Sequence, residues 1–376
     1  MNTFISFIKK EAVFCIAFIC AVISAFFVPP SKEYLSYIDW NTLGILFALM
    51  GVVAGLRKCG VFSALGTVLC RMVHTTRGLC TVLVALCFFC SMLITNDVAL
   101  LTFIPFTIAL LTTTAPAWVI MYTVVLQTIA ANTGSMLTPV GNPQNLFLFS
   151  VMKENIFHFL GTMLPYTLES AILLAIGMLV IPNTKLPTHL KQMPLARHEE
   201  ESKRKLHIAI YAGLFILSLL SVIHIIPKIA VAAAVLAVLF IIDRQVLKSI
   251  DYMLLLTFTA FFIFTGNIAN ISNIKNFLET AVQGKEFFAG VIASQVISNV
   301  PATLLLYPFS SNARELLIGV NAGGLGTLIA SLASLISYKI YSRSANADST
   351  KYMLVFTAAN VIGLAAAILL HFILSM

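Results

Sequence analysis

Long apolar stretches, separated by short polar connectors, constrain the fold of this chain more than any other feature. A helix needs ~20 apolar residues to cross the hydrocarbon core of a bilayer. Nine stretches approach or exceed that length: residues 11–28, 40–56, 116–152, 158–181, 207–226, 229–242, 251–267, 313–341 and 352–374. Two more apolar stretches, 78–113 and 286–310, are interrupted near their middle. The pattern predicts an all-α integral membrane protein with about nine spans.

The composition excludes most other classes of protein. Hydrophobic residues make up 59% of the 376 positions and charged residues only 10%, whereas soluble domains carry about 25% charged residues. The net charge of +8 comes with no cluster of Lys and Arg between aromatic residues, which argues against nucleic acid as a partner. The lipid bilayer is therefore the predicted environment of this chain.

The basic residues predict the orientation of the chain in the membrane. Residues 183–205 are strongly hydrophilic and are predicted to form a cytoplasmic linker. With the N-terminus also in the cytoplasm, most of the 23 Lys and Arg residues face the cytoplasm, as the positive-inside rule requires. The exceptions are Lys32, Lys153, Lys228, Lys275, Lys285 and Arg314. The orientation predicts a multi-pass protein of a bacterial-type inner membrane.

The chain contains an internal repeat. Residues 94–106 align with residues 297–309, with identical pairs at Ile94/Ile297, Asn96/Asn299, Ala99/Ala302, Leu101/Leu304, Pro105/Pro308 and Phe106/Phe309. A second alignment pairs Asn132 with Asn321, Gly134 with Gly323, and Thr138 with Thr327. The predicted domains are an N-terminal repeat at 1–182, the linker at 183–205, a connecting span at 206–227 and a C-terminal repeat at 228–376.

Each repeat is predicted to contain a re-entrant helical hairpin followed by a broken transmembrane helix. The hairpins cover residues 78–113 and 286–310, and the broken helices cover residues 116–152 and 313–341, with breaks at Asn132–Asn145 and Asn321–Thr327. In the predicted orientation the first hairpin enters from the cytoplasm and the second from outside, so the repeats are inverted. A spanning pair of helices is the alternative for the first hairpin. Paired broken segments in inverted repeats indicate the binding site of a secondary transporter.

Four motifs around these interruptions carry a family resemblance. They read SMLITNDVALLTFIPF, LTPVGNPQNLF, SNVPATLLLYPF and GVNAGGLGTLIASLAS. They resemble motifs of the ion transporter superfamily, which includes divalent anion:sodium symporters, citrate-transporter-like permeases and arsenite permeases. The resemblance implies a scaffold, a mobile transport domain built from the hairpins and broken helices, elevator-type alternating access and a homodimer.

The resemblance also bears on the substrate. The symporters carry Ser-Asn-Thr at each hairpin tip, where it contacts the substrate carboxylate and sodium. Here the tips read Thr95-Asn96-Asp97 and Ser298-Asn299-Val300, so each keeps the hydroxyl and the asparagine and loses the last threonine. The Asn-Asp pair of the first tip is more similar to the arsenite permeases or to a small anion-permease branch of the superfamily.

The predicted binding site lies between the two hairpin tips and the two helix breaks. Helix N-termini there present free N–H groups and a positive dipole end to an anion, while loop carbonyls and Ser, Thr and Asn oxygens can hold a cation. The predicted site residues are Thr95, Asn96, Asp97, Asn132, Gly134, Thr138, Pro139, Gly141, Asn142, Asn145, Ser298, Asn299, Pro301, Asn321, Gly323 and Thr327. Some of them, the glycines above all, have the alternative role of shaping or satisfying broken backbone.

Two carboxylates inside apolar stretches are candidate ion-binding or proton-binding groups. Placing a carboxylate inside the bilayer costs at least ~2.5–3.5 kcal/mol, and residues that carry this cost usually bind an ion or a proton. Asp97 is therefore predicted to have a functional role. Its alternative role is to cap the hairpin arm that follows it. Glu169 lies about midway along 158–181, where it either binds an ion or a proton or pairs with a polar neighbour at a helix interface.

The sequence predicts a secondary active transporter of a small anion, either a carboxylate or an inorganic oxyanion, coupled to Na⁺ or H⁺. No cofactor or resident metal is predicted, because the seven cysteines offer one CxxC pair, Cys87 and Cys90, without a second pair of ligands. The first alternative is a Na⁺/H⁺ or other cation/proton antiporter that uses Asp97. The second is an intramembrane enzyme, which the lack of HExxH, GxSxG and P-loop motifs disfavours.

Overall fold

The computed structural model describes residues 11–186, 201–345 and 347–376. Helices make up most of these residues, and β-structure within them is limited to a single antiparallel bridge between Thr75 and Lys185. The predicted all-α fold is therefore confirmed. Most of the predicted cytoplasmic linker, residues 187–200, lies outside the described residues.

Nine helices precede the linker in the described part of the chain. They are α1 (Ala12–Ala25), α2 (Tyr34–Tyr37), α3 (Trp40–Lys58), α4 (Val61–Arg71), α5 (Thr76–Ile94), α6 (Asn96–Leu111), α7 (Ala117–Ser135), α8 (Pro143–Met152) and α9 (Ile156–Met178). Helix α3 begins after Asp39, whose carboxylate accepts hydrogen bonds from the N–H groups of Asn41 and Thr42 at 3.0 and 3.1 Å. An acidic N-cap of this kind stabilises the start of a helix.

Ten helices and one 3₁₀ turn follow the linker in the described residues. They are α10 (Glu201–Val222), α11 (Lys228–Ile242), α12 (Arg244–Leu247), α13 (Tyr252–Ala269), α14 (Ser272–Val282), α15 (Glu286–Ile297), α16 (Asn299–Leu306), the 3₁₀ turn Tyr307–Phe309, α17 (Ala313–Ala322), α18 (Leu332–Ser342) and α19 (Ser349–Ser375). Helix α13 begins as α3 does, because the Asp251 carboxylate accepts a hydrogen bond from the Leu254 N–H at 3.0 Å.

Six helices of the described chain, α3, α5, α9, α10, α13 and α19, are long and apolar enough to cross a membrane. Five of them coincide with predicted spans, and the sixth, α5, is the first arm of the first predicted hairpin. The other predicted spans are shorter helices, α1 and α11, or pairs of half-helices. Large apolar side chains such as Ile172 and Leu369 are 61% and 62% exposed, as lipid contact requires.

The first break is shorter than predicted and lies within the predicted segment, and the second break lies further along the chain than predicted. The predictions placed the breaks at Asn132–Asn145 and Asn321–Thr327, whereas the non-helical segments are 136–142 and 323–331. The asparagines that open the predicted breaks remain in helical backbone, and the side chain of each bonds to a half-helix of the other repeat. Asn321 Nδ2 also donates to the Leu317 carbonyl of its own helix at 2.8 Å.

The order of elements from α3 to α9 recurs from α13 to α19. Each copy contains a long helix, an 11-residue helix, two helices joined by a single residue, two half-helices and a last long helix. In each copy the two helices joined by one residue also pack against each other. The inversion of the copies and their re-entrance into the membrane stay predictions.

Two groups of helices pack mainly among themselves. In the first group, α5 packs on α7, α6 packs on α18, and α15 packs on α17. In the second group, α1 packs on α13, while α10 and α11 pack on α3. The interrupted helices therefore surround the points at which α5 meets α6 and α15 meets α16.

Candidate functional site

The two points where one residue joins two helices have the same backbone conformation. Thr95 joins α5 to α6 with φ of 71° and ψ of 149°, and Ser298 joins α15 to α16 with φ of 75° and ψ of 151°. We call residues 95–97 the first tip and residues 298–300 the second tip. Positive φ is uncommon for any residue with a side chain, above all a β-branched threonine. Such strain persists where the surroundings fix it, often at functional sites.

Hydrogen bonds to the broken helices fix both tips. The Asn96 N–H donates to the Gly141 carbonyl at 3.0 Å, and the Asn299 N–H donates to the Ala330 carbonyl at 2.9 Å. Gly141 and Ala330 occupy equivalent positions, one residue before the N-cap of a second half-helix. The internal repeat of the sequence thus recurs in the contacts of the structure.

In each tip, the asparagine side chain accepts a hydrogen bond from the N–H group of the next residue. Asn96 Oδ1 accepts a hydrogen bond from the Asp97 N–H, and Asn299 Oδ1 accepts one from the Val300 N–H, both at 2.9 Å. Asp97 lies in the first turn of α6 and makes no capping hydrogen bond with its side chain. The hydrogen-bonded capping that was the alternative for this residue is therefore not seen among the described residues.

Both tips face one small cavity. Its walls are the first turns of α6, α8, α16 and α18, together with one residue of α13. The lining residues are Asn96, Asp97, Pro143, Gln144, Leu254, Asn299, Val300, Ser331, Leu332 and Ala333. The volume of about 10 Å³ is close to that needed for one water molecule. Four helix N-termini, each with a positive partial charge, therefore meet around a space for one small ion or water.

The first repeat contributes oxygen acceptors to this cavity. Asp97 is half-buried, and its carboxylate forms no ion pair with the described residues. Gln144 is 2% exposed, and its Oε1 accepts no hydrogen bond from the described part of the chain. The Asp251 carboxylate, which caps α13, adds a second negative charge close to Asp97. Carboxylate and amide oxygens suit a hard cation, and a carboxylate can also hold a proton.

The second repeat contributes a hydrogen-bond donor at the equivalent place. Asn299 is 5% exposed, and its Nδ2 group donates to no acceptor among the described residues. The matching Nδ2 of Asn96 donates to Asn132 Oδ1 at 3.1 Å. The Asn299 Nδ2 lies beside the second break, because a Cβ on Gly324 would be 2.9 Å from it. The second tip therefore has a free amide donor, which an anionic oxygen can accept.

Asn132 of α7 joins the first broken helix to the second. Its Oδ1 accepts a hydrogen bond from the Ser331 hydroxyl at 3.0 Å, and its Nδ2 donates to Ser334 Oγ at 3.1 Å. Together with the bond from Asn96, these contacts use both ends of the amide. Asn132 is outside the cavity lining and acts as a link between helices.

Asn321 of α17 makes the matching contacts in the other direction. Its Oδ1 accepts a hydrogen bond from Asn142 Nδ2 at 3.1 Å, and its Nδ2 donates to Asn145 Oδ1 at 2.7 Å. Asn142 and Asn145 are the N-cap and third residue of α8, as Ser331 and Ser334 are in α18. None of these three asparagines lines the cavity. They hold the two broken helices together beside it.

Two predicted site threonines hold the ends of the arms that precede the tips. The Thr138 hydroxyl donates to the Met92 carbonyl, and the Thr327 hydroxyl donates to the Gln295 carbonyl at 3.1 Å. Met92 and Gln295 each lie three residues before a tip-forming Thr95 or Ser298. Because neither threonine lines the cavity, both satisfy backbone groups near the site.

Close packing explains the predicted site glycines. A Cβ on Gly134 would lie 2.2 Å from the Phe88 carbonyl oxygen, and a Cβ on Gly141 would lie 2.1 Å from a neighbouring main-chain oxygen. A Cβ on Gly323 would meet the Ser294 side chain at 2.8 Å. Gly134 and Gly323 let the broken helices approach the tip-bearing arms, and Gly141 lets the first break fold back on Ser135 at the end of α7.

The remaining predicted residues lie away from the cavity. Pro139 is buried between α7 and α8, and Pro301 is buried in the first turn of α16. Glu169 accepts a hydrogen bond from the neighbouring Ser170 hydroxyl at 3.1 Å. Ser170 lines a different, apolar cavity between α7, α9 and α19. The structure therefore does not bring Glu169 together with Asp97.

Two polar residues of the cavity are absent from the predicted set. Gln144 lies between Pro143 and Asn145 in the first turn of a half-helix, and this position is the signal that points to it. Ser331 is the equivalent of Asn142 in the alignment of the broken helices, so the repeat is its signal. Both signals depend on where the half-helix begins, which is the least certain part of a sequence pattern.

Comparison with known proteins decides the family. Residues 3–316 match the family model described as Citrate transporter. The chain belongs to this family. An uncharacterised transporter of Methanocaldococcus jannaschii is 30% identical over 309 residues, which cover 82% of this chain and 83% of the relative. Inner membrane protein YbiR of Escherichia coli is 30% identical over 341 residues, which cover 90% of each chain.

A shorter match extends the comparison to plants. The silicon efflux transporter of Oryza sativa is 32% identical over 157 residues, which cover 42% of this chain and 31% of that protein. The family and the relatives of Methanocaldococcus jannaschii and Oryza sativa are named as transporters, so this multi-pass membrane protein belongs with transporters and not with intramembrane enzymes. The family match includes both tips and α8, and it ends within α17.

Proposed function

We propose that this chain is a secondary active transporter of a small anion, either a carboxylate or an inorganic oxyanion, coupled to Na⁺ or H⁺. The observation that carries the proposal is the convergence of four helix N-termini, those of α6, α8, α16 and α18, on one cavity. Helix N-termini have unpaired N–H groups and a positive partial charge, so they favour an anion. Each contributes ~0.3–1 kcal/mol when exposed and up to ~2 kcal/mol when partly buried.

Asn299 is the proposed side-chain ligand of the anion. Its Nδ2 group donates to no acceptor in the described chain, and a hydrogen bond to an anionic oxygen is roughly twice as strong as a neutral one. Asn96 instead holds the first tip in shape, because its amide bonds to Asn132 and to the Asp97 N–H. The two asparagines therefore support one site in different ways.

Asp97 is the proposed source of coupling to a cation. An ionised Asp97 competes with a substrate anion for the same positive helix ends, and like charges in one site disfavour each other. The anion binds well only when a proton or Na⁺ neutralises the carboxylate, with Gln144 Oε1 as a further oxygen ligand for Na⁺. Because each ion then favours the binding of the other, the two move together.

The proposed cycle moves the first group of helices against the second. A cavity of about 10 Å³ is too small for a carboxylate such as citrate, so the tips must separate to admit the substrate. Helix α3 contacts α8, and α13 contacts α16, at the boundary between the two groups. An elevator motion across this boundary, in a homodimer, is the proposed mechanism. The name of the Escherichia coli relative supports an inner-membrane location, with the N-terminus proposed to be cytoplasmic.

A cation/proton antiporter is the second candidate, and the size of the cavity favours it. The space fits one small ion, and Asp97 and Gln144 provide oxygen atoms beside it. In this candidate function Asp97 exchanges a proton for Na⁺ or another cation, and no anion binds.

Transport by the purified protein in proteoliposomes separates the two candidates. Citrate, other carboxylates, sulfate, arsenite and silicic acid form the test panel, the last because a relative is a silicon efflux transporter. Uptake is measured with and without gradients of Na⁺ and of pH. The proposal expects uptake of at least one anion that a Na⁺ or H⁺ gradient accelerates. Na⁺-driven proton flux without uptake of any anion would support the antiporter instead.

A further inference from the structure

A second polar cavity lies where α3, α8, α10 and α11 meet, and it shares no lining residue with the cavity between the tips. Its volume is about 340 Å³. The polar residues that line it are Asn41, Ser150, Lys153, Ser221, His224 and Lys228. No Asp or Glu of the described chain is among its lining residues. The cavity is therefore basic and large enough for a polyatomic anion.

Lys228 provides a buried positive charge in this cavity. It is 8% exposed, and its Nζ donates one hydrogen bond, to Ser150 Oγ at 2.5 Å. No carboxylate of the described residues lies within ion-pair distance of it. Asp39 is its acidic neighbour, but the Asp39 carboxylate caps α3 by accepting the N–H groups of Asn41 and Thr42. A buried ammonium with unused donors favours an anionic partner.

Ser221 provides an unpaired hydroxyl at the same place. It is fully buried at 0% exposure, it lines the cavity, and its Oγ has no hydrogen-bond partner among the described residues. Ser218, one turn earlier in α10, is equally buried but donates to the Leu214 carbonyl at 2.8 Å. Buried hydroxyl groups without a partner are unfavourable, so Ser221 indicates that a ligand completes this cavity.

The electrostatics at Lys153 and His224 support the same conclusion. Both residues follow the end of a helix, since Lys153 is the C-cap of α8 and His224 lies two residues after α10. Burial, followed by the positive charges of Lys228 and Lys153, lowers the pKa of His224. The positive charges of both lysines are therefore felt at His224. Helix α11 begins beside the same cavity, and no side chain caps its first N–H groups. Its first N–H groups add to the positive potential.

We infer that this cavity binds an oxyanion of the phosphate or sulfate type, separately from the proposed transport site. Lys228 and Lys153 supply positive charge, the Ser221 hydroxyl and the α11 N-terminus donate hydrogen bonds, and such an anion has an acceptor oxygen for each. Two sources can supply this chemistry: a free inorganic oxyanion, or the phosphate of a phospholipid headgroup. Ile225 and Ile229, 64% and 57% exposed beside the cavity, suit contact with the acyl chains of a lipid.

Thermal unfolding of the purified full chain tests the free-anion source. The Tm is measured in inorganic phosphate and in chloride at equal ionic strength. We expect phosphate to raise the Tm of the unaltered protein, and Ser221→Ala and Lys153→Gln to lose most of that rise. Ser221→Ala removes an unpaired buried hydroxyl, so its Tm in chloride should not fall. The matched controls Ser218→Ala and Lys285→Gln, of a paired serine and of an exposed lysine elsewhere, should keep the rise.

Native mass spectrometry tests the headgroup source. The delipidated protein is exposed to vesicles of phosphatidylglycerol or of phosphate-free digalactosyl diacylglycerol, and the retained lipid is counted. Selective retention of phosphatidylglycerol that Ser221→Ala and Lys153→Gln reduce assigns the cavity to a headgroup. A Tm rise in phosphate alone that the same variants lose assigns it to a free oxyanion. Absence of both effects, or equal effects in these variants and in the two controls, would overturn the inference.

Discussion

The first tip and the second tip differ in chemistry although they share a backbone conformation and the same hydrogen bonds to the broken helices. Asp97 lines the cavity on one side, and Val300 occupies the equivalent position on the other. The half-helices show the same contrast, because the polar Gln144 of α8 is matched by the apolar Ala333 at the equivalent position of α18. The second tip has the unused donor, on Asn299. The repeated backbone thus builds a symmetric cavity with unequal side chains, and under the proposed function these divide cation and anion binding between its two sides.

The largest expected effect is the loss of coupling in Asp97→Asn. The neutral amide removes the charge that a proton or Na⁺ neutralises, so the typical coupling of ~5–150-fold in affinity should disappear. Uptake into proteoliposomes, measured with and without Na⁺ and pH gradients, checks this outcome. Val300→Ala, at the equivalent position of the second tip, should keep its dependence on the gradient. Equal losses in the two variants would mean that coupling depends on packing at the tips and not on the Asp97 charge.

Substitution of Gly134 should lower the stability more than substitution of Gly323, its aligned partner in the second repeat. Gly134→Ala places a Cβ 2.2 Å from a main-chain oxygen of α5, whereas Gly323→Ala meets the Ser294 side chain at 2.8 Å. Overpacking costs about 1–3 kcal/mol, so Gly134→Ala should lower the Tm further than Gly323→Ala does. Gly161→Ala is the control, because a Cβ there meets nothing within 4 Å. A Tm of Gly134→Ala equal to that of the control would contradict the packing.

The sequence predicted the tips well and the breaks less well. The aligned asparagines Asn96 and Asn299 place both tips, because a repeated motif inside an apolar stretch leaves a strong pattern. The starts of the breaks differ from the prediction because Asn132 and Asn321 stay helical, with side-chain bonds to the opposite broken helix. A sequence pattern shows local breakers and not contacts between residues far apart in the chain.

The same limit applies to the candidate site. Asn96, Asp97 and Asn299 were predicted as binding residues, and all three line the cavity. Predicted residues in the breaks, such as Asn142, instead link the broken helices, because the direction of an amide side chain depends on the packing of a distant element. Gln144 was missed for the same reason, because it lines the cavity only once the tips are packed against the start of α8.

Alanine substitutions of the two tip asparagines should show which one binds the anion and which one stabilises the fold of its tip. Asn299→Ala removes the free donor, and a hydrogen bond to a charged group is worth about 1.5–3 kcal/mol, so the affinity for the anion should fall roughly tenfold or more. Its Tm should fall less than that of Asn96→Ala, because it leaves only the Val300 N–H without its partner. Asn96→Ala should mainly lower the Tm, because it leaves the Asp97 N–H and Asn132 without their partner. Equilibrium binding and thermal unfolding of both purified variants check this division. Loss of affinity in Asn96→Ala alone would assign the anion to the first tip.

The smallest expected effect comes from the threonines that hold the arms. Thr138→Val and Thr327→Val each remove one hydrogen bond to a main-chain carbonyl, worth about 0.5–1.5 kcal/mol. Thr327 is exposed and Thr138 is partly buried, so water replaces the lost bond more readily in Thr327→Val. Differential scanning fluorimetry should therefore show the larger decrease of Tm in Thr138→Val. The reverse order would mean that the second arm depends more on its threonine.

The central claim is that anion and cation share one cavity through Asp97. Its most direct test is equilibrium binding of the transported anion to purified protein, over a range of Na⁺ concentrations and of pH, in the unaltered chain and in Asp97→Asn. The affinity of the unaltered chain should rise with Na⁺ or with proton concentration, and that dependence should vanish in Asp97→Asn. The same dependence in both proteins would contradict the claim and place the coupling ion elsewhere.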